Sequence, residues 1–338
     1  MSLGLHQARF LICVFTFAAA FATALAANNP FLGGWELTIP DGRAGWLGIE
    51  EAGGQLKASL LWGGGSVLPL ESARIENGRL VLTRQHSFER KNKTGKAAKG
   101  VRIETITATV EDNIIKLSSE TPRANRLGVD KAEFTGRRSR PMPPAPDPSR
   151  AIFGEPIRIF NGNDLTGWRL ADPNLECGWS VQDGLLVNVA PQQEGKPRKR
   201  YGNLRTDWEF EDFNLTVETR VPKGGNSGIY LRGIYEVQVA DSCGKPPTLH
   251  GMGAIYSRLQ PAVSAEKPAG EWQALDITLL DRHVTIILNG KTIIANQPLL
   301  GCTGGALWSD VSRPGPILLQ GDHTSVEYRN LVLRPVRN

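Results

Sequence analysis

The residues best able to do chemistry cluster in the segment GIYLRGIYEVQVADS, Gly228–Ser242. Ile229, Leu231, Tyr235, Val237 and Val239 share one parity; Tyr230, Arg232, Glu236 and Gln238 share the other. Successive strand residues face opposite sides. One face is therefore core, and the other carries an arginine, a carboxyl and an amide within a few pleats. That set suits a polar groove for a hydroxyl-rich ligand, with Asp241 at its end. A solvated ladder with an Arg–Glu pair of little energetic consequence has the same pattern. A second segment, LLQGDHTSVEYRNLVLRP (Leu318–Pro335), puts His323 after a Gly-Asp turn. An imidazole titrates near neutrality and can act as acid, base or metal ligand, although most lone loop histidines are inert. A third, LHGMGAIYSRLQP (Leu249–Pro261), is a glycine-rich loop carrying His250 and leading into Tyr256. Such loops often line sites, and many merely connect strands. Serine-nucleophile, P-loop and HExxH patterns are missing, so nucleophilic serine and nucleotide chemistry have no support.

The elements that must position these residues are strands. Before residue 138 the segments Trp35–Ile39, Trp46–Glu50, Gln55–Trp62, Arg79–Arg84, Val101–Val110, Ile114–Ser118 and Ala132–Gly136 alternate apolar and polar residues. Asn77-Gly78 and Asp112-Asn113 read as turns. This half, 28–137, is predicted to be a small antiparallel β-barrel or sandwich. Five prolines in RRSRPMPPAPDPS make 138–152 an extended linker. From 153 to 338 about eleven more strands follow without a helical period, which implies a two-sheet sandwich. Gly228–Val239 is read as one strand. In Val326–Leu333 the parity of Val326 and Tyr328 conflicts with that of Leu331 and Leu333, which predicts a bulge near Arg329–Asn330. Trp168, Trp272 and Trp308 are candidate sugar-stacking platforms, and core packing explains them equally well. The basic loops Lys91–Lys99 and Lys196–Arg200 read most simply as solvated.

The chain has 338 residues, 40% of them hydrophobic, enough for two sizeable cores. A net charge of +5 is too mild to call for a nucleic-acid partner. Arg9, the apolar run Phe10–Phe21 and Ala24-Leu25-Ala26 form the three-part pattern of a secretory signal peptide. Cleavage after Ala26 is expected, with an uncleaved anchor as the rival. Export to the periplasm or medium follows, and no later stretch is apolar enough to cross a membrane. Loss of Cys13 would leave Cys177, Cys243 and Cys302, an odd count that does not read as a disulfide framework, although one pair such as Cys243–Cys302 fits an oxidising compartment.

Phe160-Asn161-Gly162-Asn163-Asp164-Leu165-Thr166-Gly167-Trp168 resembles the opening of the 3-keto-disaccharide hydrolase domain family. Asn226–Ile229, Tyr235–Val239 with Asp241-Ser242, Gly253–Tyr256, Gly270–Trp272, Asn289-Gly290, Gly315–His323 and Tyr328–Leu331 follow in the family's order. The resemblance covers about residues 155–336. Thr324 stands where many members have glycine, and Cys243 where an aromatic is common. The resemblance implies a concanavalin-like jelly roll and cleavage of glycosides oxidised to a ketone at carbon 3 of the sugar. Such a ketone acidifies the C2 proton; a base removes it, the C1 aglycone leaves, and water adds. The reaction needs a base, an acid and a polariser for the ketone oxygen. Glu236 and His323 are the expected catalytic pair, either one serving as base. Arg232, Gln238, Asp241, Tyr256 and Arg329 are expected to bind substrate. A divalent metal is an open option, with Glu236, Asp241 and His323 as candidate ligands. The competing readings are a non-catalytic sugar-binding jelly roll and a surface protein that binds through its N-terminal half.

Overall fold

The structure, a computed structural model, describes residues 29–91, 97–124, 127–192, 195–197 and 199–337. The expected leader and residues 92–96 of the Lys91–Lys99 loop lie outside the described residues. The N-terminal unit is one antiparallel sheet of β1 (Gly33–Thr38), β2 (Ala44–Ala52), β3 (Gln55–Trp62), β4 (Leu68–Pro69), β5 (Ser72–Glu76), β6 (Arg79–Lys91), β7 (Ala97–Glu111), β8 (Ile114–Pro122) and β9 (Val129–Arg138). Its order is β4-β3-β2-β1-β9-β8-β7-β6-β5. The two edges meet at a corner where Leu70 N–H bonds Ala58 O and Glu71 N–H bonds Thr83 O. The sheet therefore curls into a barrel around Trp35, Leu37, Leu47, Leu80, Leu82, Ile106 and Phe134. Its hairpins turn where expected, because Asn77-Gly78 and Asp112-Asn113 adopt the left-handed backbone that tight two-residue turns require.

The C-terminal unit comprises β10 (Ile157–Arg158), β11 (Trp168–Leu170), β12 (Trp179–Gln182), β13 (Leu185–Asn188), β14 (Leu204–Thr206), β15 (Phe213–Arg220) and β16 (Asn226–Leu231). It continues through β17 (Tyr235–Ala240), β18 (Gln273–Leu280), β19 (His283–Leu288), β20 (Lys291–Pro298), β21 (Leu318–Leu319) and β22 (Val326–Pro335). One sheet runs β12-β13-β22-β15-β18-β19-β20, with β10 also on β22; the other runs β11-β14-β21-β16-β17. Leu215, Val217, Ile229, Val237, Ile277, Ile286 and Tyr328 fill the space between them. This is the antiparallel sandwich expected of a jelly roll. The bulge also appears: the β15–β22 register shifts between Thr216 and Glu218, opposite Asn330 with its φ of 53°.

One expectation needs correction. Gly228–Val239 is a hairpin, not a single strand, because Arg232 and Gly233 take left-handed φ values of 55° and 67° and turn the chain. The parity survives the turn. Ile229 pairs Val237, Tyr230 pairs Glu236 and Gly228 pairs Gln238, so residues of one face remain together.

The two units share a core. Ala44, Trp46 and Leu61 of the barrel pack into the sandwich's buried cluster. A Cβ on Gly301 would fall 2.3 Å from the Trp46 ring. The Arg258 guanidinium lies 4.4 Å from the centre of that ring and donates to Cys302 O at 2.8 Å. Arg137 bridges Glu36 at 2.7 Å and Asp310 at 2.5 Å. The proline-rich segment is held too, with Asn296 donating to Pro146 O at 2.9 Å. Cys177, Cys243 and Cys302 are free thiols, so Cys243 and Cys302 are not bridged. Burial pushes the Cys302 thiol up to about 11. Trp46→Ala should lower unfolding stability by about 3–5 kcal/mol, measured by denaturant titration; a loss below 1 kcal/mol would mean the shared core contributes little.

Candidate active site

Glu236 sits on β17 facing Tyr230 across the hairpin. Gly228 leaves the room it occupies: a Cβ there would fall 2.5 Å from Glu236 Oε1. Glu236 is 4% exposed, and its backbone N–H bonds Thr303 Oγ1 at 2.9 Å. Burial pushes its carboxyl up to about 8; the Tyr230 hydrogen bond and the His323 charge lower it and the Asp322 charge raises it, without offsetting desolvation. The Tyr230 hydroxyl beside it also donates to Gly304 O at 2.8 Å. A carboxyl held neutral near neutrality is a proton donor.

His323 lies in the β21–β22 loop, close enough for its charge to act on Glu236. Its Nδ1 is 2.6 Å from Asp322 Oδ1. A carboxylate accepts only, so Nδ1 is the donor in this contact, and in the neutral imidazole Nε2 is then the basic nitrogen. Thr324 ties this loop to the hairpin: Asn226 N–H bonds Thr324 Oγ1 at 2.8 Å. Gln238 and Gln320 flank the carboxyl row, and their buried Oε1 atoms have no hydrogen-bond partner among the described residues. Such orphaned acceptors carry a cost that a ligand hydroxyl can relieve. Tyr256 stands alongside, its N–H bonding Glu236 O at 2.9 Å.

Residues 155–334, over half of the chain, match the 3-keto-alpha-glucoside-1,2-lyase-like domain family. The chain belongs to this family. A 3-keto-disaccharide hydrolase of Bacteroides thetaiotaomicron is 28% identical over 166 residues, and the match spans 41% of this chain and 57% of that protein. A candidate glycosyl hydrolase from Parabacteroides distasonis, known as a crystal structure, is 30% identical with a TM-score of 0.44, covering 53% of this chain and 83% of its own. A second one from the same organism is 20% identical with a TM-score of 0.43, covering 54% and 94%.

Within this 3-keto-alpha-glucoside-1,2-lyase-like domain the expected site residues divide. Glu236, His323, Gln238 and Tyr256 come together. Asp241 stands at the end of β17, where its Oδ2 takes the Gly224 N–H at 2.8 Å. Arg232 does not line the groove: it is the hairpin-turn residue, fully buried, and its guanidinium donates to Val311 O and Arg313 O at 3.0 Å. Arg329 is also elsewhere. Its strand belongs to the other sheet, Tyr328 takes the core-facing position, and Arg329 pairs with Glu218 at 2.5 Å against Trp272. Among the described residues no group of three or more His, Cys, Asp or Glu is placed to hold a metal, so Glu236, Asp241 and His323 do not form the suggested ligand set. Trp168 is a core residue that donates to Ile159 O, and Trp272 lies between Arg220 and Arg329. Tyr230, Gln320 and Asp322 are the residues the sequence reading missed; Tyr230 shares the parity of Glu236, which was the available signal.

The raised Glu236 carboxyl has a stability consequence. The unfolded group ionises near 4.5 and the folded one near 8, so folding loses stability as pH rises through that window. Glu236→Gln should melt above the wild type at pH 9 and level with it at pH 4; equal melting temperatures at pH 9 would contradict a neutral buried carboxyl.

Proposed function

We propose that this chain is an exported enzyme that cleaves 3-keto-glycosides, hydrolysing them by elimination and rehydration. His323 Nε2 takes the C2 proton, made acidic by the C3 ketone. The C–H pair forms the C1–C2 double bond as the C1–O bond breaks. Glu236 gives its proton to the departing oxygen, which leaves as the alcohol. Water then adds to C1, giving a proton to the Glu236 carboxylate, while His323 returns its proton to C2. Both groups end as they began. Gln238 and Gln320 hold sugar hydroxyls through their orphaned carbonyl oxygens.

The observation that carries this reading is a buried carboxyl, which desolvation pushes up to about 8, beside an imidazole whose Nδ1 is held by a carboxylate. Catalysis needs that pairing, and a module that only binds sugar does not. The test is release of nitrophenol from purified protein incubated with nitrophenyl 3-keto-glucoside and with the unoxidised glucoside. Release from the ketone alone is expected. Binding of glycans with no release from either would make it a binding module. Export is tested by sequencing the N-terminus of the exported chain, expected at Ala27.

A further inference from the structure

We propose that the N-terminal barrel completes the active site: its β3–β4 loop, Gly63–Val67, joins His250 and Tyr256 to form the subsite for a neutral sugar leaving group. The proposal rests on the reading of the chain as a 3-keto-glycoside-cleaving enzyme and adds what recognises the departing half.

The loop touches both segments that flank Glu236. On one side Ser66 Oγ is 2.9 Å from His250 Nε2, and Val67 N–H bonds Ser257 Oγ at 2.8 Å. The His250 and Tyr256 rings meet edge to face with centres 4.9 Å apart. The Tyr256 N–H bonds Glu236 O, and Gln238 donates to His250 O at 3.3 Å. On the other side Gly305 N–H bonds Gly63 O. A Cβ on Gly304 would fall 2.1 Å from Gly65 O, so the backbones are in direct contact. Gly304 O is the atom that receives the Tyr230 proton. Two short chains of contact therefore run from the barrel to Glu236, Ser66–His250–Tyr256 and Gly65–Gly304–Tyr230. Gly63 and Gly65 have φ values of 69° and 85°, which glycine adopts without strain. A loop of larger residues could not approach this closely.

The surface so formed has a definite chemistry. A hydroxyl, an imidazole and a phenol, all at least partly exposed, stand together. They can exchange hydrogen bonds with hydroxyl groups, and the aromatic pair offers a face for the C–H side of a sugar ring. The Arg43 guanidinium lies against the Gly63–Gly64 end of the loop, but it is paired with Asp41 at 2.5 Å, so an uncharged sugar fits better than a phosphate or an acid. Gln238 adds a buried acceptor without a partner among the described residues, one pleat from Glu236.

The test compares a 3-keto-disaccharide with methyl 3-keto-glucoside, which share the oxidised ring and differ in what departs. Ser66→Ala and His250→Ala should each raise KM for the disaccharide about threefold to tenfold more than for the methyl glucoside. Equal effects on both substrates, or none on the disaccharide, would overturn the proposal. Calorimetric titration with the unoxidised disaccharide supplies a readout that needs no turnover. The same variants should weaken its binding by a similar factor, and unchanged affinity would count against the subsite. If the wild type cleaves neither substrate, the enzymatic reading fails, and the titration still decides whether the barrel helps to bind sugar.

Discussion

His323→Ala should slow cleavage of a 3-keto-glucoside by about 10²–10⁴-fold, the usual cost of losing a general base. The loss should fall on kcat, because the imidazole acts on the C2 proton in the transition state more than on the bound ground state. The side chain is 40% exposed in a loop, so the variant should fold and melt like the wild type. Asp322→Asn should give a smaller loss, since it leaves the imidazole present and removes only the carboxylate that fixes its tautomer. Steady-state kinetics on both variants measures this. Wild-type rates for His323→Ala would remove the residue from the chemistry.

Glu236→Gln should cost a similar factor for a substrate with a poor leaving group, since an amide cannot deliver the proton. With a nitrophenol leaving group, which departs without much protonation, the loss should shrink. The pH profile carries the sharper signature. Glu236 works in its protonated form, so wild-type kcat/KM should fall as pH rises through about 8. The glutamine variant should lack that limb. An unchanged alkaline limb would assign it to another group. If the variant lost equally on both leaving groups, Glu236 would be a positioning residue and not the acid.

Much of this architecture was legible in the residues. The asparagine–glycine turns, the alternating strands and the bulge at Asn330 all followed from local stereochemistry, because tight turns demand left-handed backbone and one-sided burial demands period two. The face shared by Glu236 and Gln238 was legible for the same reason. The Arg232 turn was not. Unbroken alternation from Ile229 to Val239 makes a hairpin look like one long strand, and only Gly233 marked the reversal. Arg232 therefore looked like a groove residue when its partners are the carbonyls of a distant loop. Arg329 misled differently, since nothing local says which sheet a strand joins. The barrel's part in the site was out of reach, because Ser66 and His250 meet across 184 positions of chain. Long-range contacts of that kind leave no mark in periodicity or turn chemistry.

The central claim is that the glycosidic bond breaks by removal of the C2 proton. The most direct measurement is the rate of aglycone release from a 3-keto-glucoside carrying deuterium at C2, compared with the same compound carrying hydrogen. The account expects a primary isotope effect, with release slowed severalfold and alcohol formed only as C2 loses its label. Equal rates, with deuterium kept at C2 of the product under conditions where the free 3-keto sugar does not exchange, would mean that C1 is attacked directly and that elimination plays no part.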